Sequence, residues 1–103
     1  MPKVKITVLR KLLYEDLARE YRSGGDTVFE LFEEGQEFVT EDYGPPPSFP
    51  CPWAWHDLYK YFATLKHRGA FDHDMKPPHD KAVIACCTDG VRPVIFRLER
   101  VDD

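Results

Sequence analysis

The stretch 81-KAVIACCTDGVRPVIFRLERV-101 decides the fold. Its second half alternates. Val94, Phe96 and Leu98 point one way and Ile95, Arg97 and Glu99 the other, which is the period of a strand with one buried face. Lys81 to Cys87 reads as a partner strand. TDGVRP joins the two, and its Asp-Gly pair is a hairpin signal. On the first strand Ala82, Ile84 and Cys86 share one face, and Val83, Ala85 and Cys87 share the other. Neither face is polar, so the expectation is that both cysteines are buried. As neighbours on a strand they point to opposite faces, and a bond between them would strain the peptide unit.

Upstream, Pro52 suits the first turn of a helix, where its missing N–H is no loss. Trp55, Leu58, Phe62 and Leu65 then recur at three and four residues, which predicts a helix that ends near Gly69. The loop from Ala70 to Asp80 is polar and proline-rich. Before the helix, YGPPPSFPCP (43–52) has six Gly or Pro among its ten residues, so it is a stiff, extended connector. Lys3 to Leu9 alternates as a half-buried strand, with Val4, Ile6 and Val8 on the apolar side. Residues 14 to 22 have helical spacing at Tyr14, Leu17, Ala18 and Tyr21, with acids first and arginines last, as the helix dipole prefers. Val28 to Phe32 is a short apolar run of undecided type. A turn at Gly35 leads into a strand over Glu37 to Thr40. The order β-α-β-α-β-β predicts an α+β domain with a small, largely antiparallel sheet and two helices, occupying residues 1–103 as a single unit. The final strand is read as an edge open to pairing.

Composition narrows the class. Hydrophobic residues are 43% and aromatics 14% of 103 residues, enough for one core without metal or disulfide staples. The net charge of −4 argues against general nucleic-acid binding, although a local patch at Arg97 and Arg100 stays open. The N-terminal MPKVKITVLR lacks the features of a signal peptide, and no apolar run reaches membrane-span length. The expectation is a cytoplasmic protein with no membrane partner. Three cysteines, an odd number, fit reduced thiols in that compartment.

The candidate site is FPCPWAWHDLY (49–59). Cys51 is placed at the N-cap of the long helix, where free N–H groups and the positive end of the dipole favour a thiolate. His56 follows one turn in, and Trp53 and Trp55 form pocket walls. The competing reading is a small buried cap residue with Trp55 in the core, since buried cysteines are usually inert. Tyr59 and Tyr61 flank the apolar seam and suit a small-molecule site or a subunit interface. The expected ligand-binding set is Cys51, Trp53, Trp55, His56, Tyr59 and Cys87, at the corner where the connector meets the helix start and the Cys86-Cys87 strand. Cys51, His56 and Cys87 are the metal candidates, for zinc or iron. FDHDMKPPHD (71–80) and the acids Glu33, Glu34, Glu37, Glu41 and Asp42 read as solvated surface. Phosphate-loop, GxSxG, HExxH and CxxC patterns are all missing from the sequence.

Taken in order, the EGQEF turn, the Pro-Cys-Pro helix start with an aromatic residue and His56, the LYKY helix, the RGAF loop and ACCTDGVRPVIFRLER resemble a family of small, uncharacterised prokaryotic proteins of about this length. The resemblance covers nearly the whole chain and implies one domain, with no assigned activity. It carries the family's second cysteine onto Cys51. Its H-x-L-Y-x-Y helix falls on His56, Asp57, Leu58, Tyr59, Lys60 and Tyr61, and its third cysteine on Cys87. The first family cysteine falls on Val28, where this chain departs from the pattern. If the family's thiolates form one metal site, a ligand is lost here, with Cys86 or His56 as substitutes. Otherwise the cysteines are structural, which is the reading taken for position 28.

The leading functional expectation is a small binding or accessory domain that self-associates as a homo-oligomer. The alternative is a thiol-centred metal-binding or redox protein using Cys51, His56 and Cys87. A small enzyme built on the acidic turn and His56 comes last, because no residue pattern fixes a substrate.

Overall fold

The computed structural model describes residues 2–24 and 27–102. Its elements are β1 (Lys3–Lys11), α1 (Glu15–Tyr21), β2 (Glu37–Thr40), α2 (Pro52–Lys66), β3 (Ala82–Cys86) and β4 (Val94–Asp102). The fold is α+β, in the expected order. The four strands form one antiparallel sheet in the order β2-β1-β4-β3. The last strand is therefore not an edge. β1 takes its outer side, with Ile6 opposite Leu98 and Val8 opposite Phe96, and the edges are β2 and β3. Burying Val94, Phe96 and Leu98 requires apolar neighbours on both sides, and β1 supplies Val4, Ile6 and Val8, all of them fully buried.

One face of the sheet carries the core. α2 lies across it and presents Ala54, Leu58, Phe62 and Leu65, each with no exposed surface. The other face is polar: Lys5 sits between Glu37 and Glu99 at 3.5 and 3.6 Å, and Arg97 meets Glu99 at 3.3 Å. The expectation that both faces of β3 are covered fails for this reason. Ala82, Val83 and Ala85 are buried, but Ile84 and Cys86 on the uncovered face are exposed. Arg97 and Arg100 form no basic patch. The first pairs with Glu99, and Arg100 Nη1 donates to the Leu65 and Gly69 carbonyls at 2.9 and 2.8 Å, tying the end of α2 to β4.

Loops finish the core. Gly35, at φ 88°, makes the turn before β2, and its N–H donates to the Val8 carbonyl at 2.7 Å. The undecided run at 28–32 is neither helix nor strand, yet its Phe32 is 1% exposed and plugs the end of the core against Phe38, Phe49 and Phe96. Lys66, also buried, donates from Nζ to the Glu41 carbonyl at 3.1 Å and lies 5.6 Å from the Tyr43 ring, which fastens the connector to α2. α1 buries only Ala18. Its Leu17 and Tyr21, and the N-cap Tyr14 before it, are exposed, and it packs on no other described helix or strand. No described helix is long and apolar enough to cross a membrane.

Candidate functional site

Two local structures meet at one corner of the domain. The first is the start of α2. Cys51 is extended (φ −130°, ψ 105°), Pro52 opens the helix, and the Cys51 Sγ accepts the Ala54 N–H at 3.5 Å, so the thiol acts as the N-cap acceptor. No acidic residue occupies the first turn. Trp53 stands outward, 73% exposed.

The second is the turn between β3 and β4. Asp89 organises it. Its Oδ1 accepts the Val91 and Arg92 N–H groups, both at 2.9 Å, and its Oδ2 accepts Arg92 Nε at 3.1 Å. Burial works against the charge of Asp89, but the Arg92 and Val91 N–H groups and the Arg92 guanidinium outweigh it and hold the carboxyl below its usual range. Arg92 is fixed from its other side by the Phe29 ring, 5.3 Å away. Beyond the turn Cys87 donates its N–H to the Val94 carbonyl at 3.1 Å, and its Sγ accepts the Val94 N–H at 3.3 Å.

Between them lies a cleft of about 340 Å³. Phe32, Ala54 and Val94 are its buried lining, Phe29 and Trp53 its aromatic walls, and Arg22, Thr88, Asp89 and Arg92 its polar groups. Cys51 and Cys87 both line it. The structure thus brings together three of the expected residues, Cys51, Trp53 and Cys87, at the expected corner. His56 lies outside the cleft. It lines a shallower neighbouring groove with Pro52 and Asp57, which shares Trp53 and Thr88 with the cleft. Trp55 and Tyr59 line neither hollow. Trp55 packs into the aromatic layer, 5.0 Å from Phe62 and 6.2 Å from Phe49, and Tyr59 stands 5.8 Å from Trp55. Among the described residues no three His, Cys, Asp or Glu side chains converge to hold a metal ion, so Cys51, His56 and Cys87 are not gathered into one set.

In the neighbouring groove Asp57 Oδ2 is buried without a hydrogen-bond partner. Partial burial pushes the Cys86 thiol above its ordinary range, and Cys87, Asp57 and Asp89 add to the rise. A thiol shifted that way is protonated at neutral pH and a poor nucleophile.

Sequence reasoning missed Arg22, Phe29, Phe32 and Arg92. One signal existed for Arg92. In Asp-Gly-x-Arg an Asx turn folds the arginine back onto the aspartate three residues before it, so a guanidinium is held rigidly at the strand end. Arg22 and Phe29 carried no local signal, because only the closed fold brings them to the turn. Comparison of the chain with protein-family models, with curated proteins and with solved structures found no match.

Proposed function

We propose that this protein is a small-molecule-binding domain whose ligand sits in the cleft at the start of α2. The observation that carries the reading is the make-up of the hollow: aromatic and aliphatic walls from Phe29, Phe32, Trp53 and Val94, with a few fixed polar groups at one side. Trp53 strengthens it. An indole held 73% exposed on a helix start leaves apolar surface in water that a ligand would cover. The test uses a neutral apolar dye, N-phenyl-1-naphthylamine. It should bind one per chain with enhanced fluorescence, and Trp53→Ala, which removes a wall without touching the core, should weaken binding by roughly tenfold. Binding that Trp53→Ala leaves unchanged would remove the cleft from consideration.

A second reading, a thiol-centred site for zinc or iron or for redox chemistry, is favoured by one observation: Cys51 and Cys87 line the same cleft. Its test is metal content of untagged protein together with thiol counting before and after unfolding. Stoichiometric metal with masked thiols would support it, and metal-free protein with freely titrating thiols would sink it.

The domain acts in the cytoplasm, where its cysteines stay reduced, and it self-associates. The exposed Tyr14, Leu17 and Tyr21 at and in α1 and the edge strand β3 supply the surface for that. Light scattering that finds only monomer across a wide concentration range would refute the self-association.

A further inference from the structure

Resting on the cleft as a ligand site, we infer that its ligand is an organic anion: a carboxylate or similar acid on an apolar body of one or two rings. Charge carries the argument. In a chain of net charge −4, the cleft is lined by two guanidiniums, Arg22 and Arg92, against the single carboxylate of Asp89. That carboxylate does not oppose an incoming anion in full. Both of its oxygens already accept hydrogen bonds from its own turn, one of them from Arg92 itself.

The two arginines differ in a useful way. Arg92 is held between Asp89, which its Nε bonds, and the Phe29 ring, which its guanidinium carbon overlies at 5.3 Å. Its two terminal nitrogens donate to no described residue, so they remain available on a preorganised fork. Arg22, exposed at the end of α1, has no ion-pair partner among the described residues. It is a second donor at the rim of the same cleft.

The start of α2 adds to this. Trp53 borders the cleft, its backbone N–H makes no hydrogen bond among the described residues, and no acid in the first turn offsets the positive end of the helix. The rest of the lining is apolar. Phe29 and Trp53 supply aromatic rings over the buried Phe32, and about 340 Å³ lies near the lower end of ligand pockets, which run from about 300 to 1,000 Å³. A two-ring acid fills such a space, with the ring body against the aromatic walls and the acid toward the arginines.

The experiment compares two probes that share a body and differ in charge, 1-naphthaleneacetate and 1-naphthaleneacetamide, by isothermal titration and Trp fluorescence. The acetate should bind about tenfold more tightly. That preference should shrink as salt is raised and fall several-fold in Arg22→Gln. Arg22 is exposed and forms no ion pair with a described residue, so this variant should keep its fold, which circular dichroism checks. Equal binding of both probes would overturn the anion inference and leave the cleft standing. Binding of neither would overturn the cleft reading as well. An acetate preference untouched by Arg22→Gln and by salt would also overturn the inference, because the charge would then be read by groups outside this cleft.

Discussion

Replacing Phe32 with alanine tests the core and the cleft together. The ring is 1% exposed and meets Phe38 and Phe96 edge-to-face, with centroids 6.1 and 5.2 Å away. It lies tilted against Phe29 and Phe49 at 5.6 and 5.4 Å. Truncating a buried phenylalanine costs about 3–5 kcal/mol, from lost transfer energy and the cavity left behind. Two edge-to-face pairs place this site toward the upper half, at about 4 kcal/mol. Against a total stability of about 5–15 kcal/mol for a domain of this kind, that is a large share. With an m value of about 1.5 kcal/mol/M, the urea midpoint should fall by roughly 2.5–3 M, and the slope should not change. Phe32→Leu keeps most of the volume and should lose only about 1–1.5 kcal/mol. The alternative is that residues 27–36, which form neither helix nor strand, relax into the gap. A loss below about 1.5 kcal/mol for the alanine variant would mean just that. Phe32 would then be a loosely seated side chain, and the cleft it lines would not be a fixed hollow.

Three further outcomes follow from the same geometry. A methyl group at Gly69 would lie 2.8 Å from the Thr64 carbonyl oxygen and 2.6 Å from its Cγ2, so Gly69→Ala should cost about 1–3 kcal/mol in urea unfolding; Thr64→Ser should not rescue it, because the carbonyl contact stays. Arg100→Leu removes two charge-assisted bonds to the end of α2 and should cost about 2–3 kcal/mol, seen in the same assay and in faster amide exchange of the last helical turn. The Asp89 carboxyl titrates below its ordinary 3.8 in the folded protein, so its contribution is full above that value and is lost as pH falls through the lower folded value. Urea midpoints measured from neutral to acid pH should therefore show Asp89→Asn less stable than wild type at neutral pH, with the gap closing at the acid end; a constant gap would refute the linkage.

Local periodicity carried most of the fold. The alternation of Val94, Phe96 and Leu98, the 3–4 spacing from Trp55 to Leu65 and the proline-marked start at Pro52 each appear as an element in the structure. What periodicity does not contain is which strand lies beside which. β4 has a half-buried pattern whether it is an edge or a centre, and only its pairing with β1, from the other end of the chain, makes it central. Ile84 and Cys86 were misread for a related reason: an apolar residue on a strand does not reveal whether a helix covers that face. Tyr14, Leu17 and Tyr21 keep helical spacing, yet the short α1 reaches no other element and leaves them in water. Phe32 belongs to no periodic segment, so its place in the core was invisible. At the site, the Cys51 cap was legible from Pro-Cys-Pro, but its nearness to Cys87 was not, because only the packing of α2 on the sheet decides it. The arginines that set the cleft's charge were not, because they come from separate segments.

The pairing of β1 with β4 also bears on how the cleft comes into being. Lys3 is matched with Asp102 and Lys11 with Val94, so nearly the whole chain lies within the loop this ladder closes. Arg22, Phe29, Cys51, Trp53, Cys87 and Arg92 all belong to that enclosed stretch. Closing so long a loop is slow, and its entropy is lost before the contacts form. The lining runs from Arg22 to Val94, so residues far apart in the chain must meet before the whole cleft exists. The complete lining is therefore a product of long-range closure, assembled late rather than within any one local element.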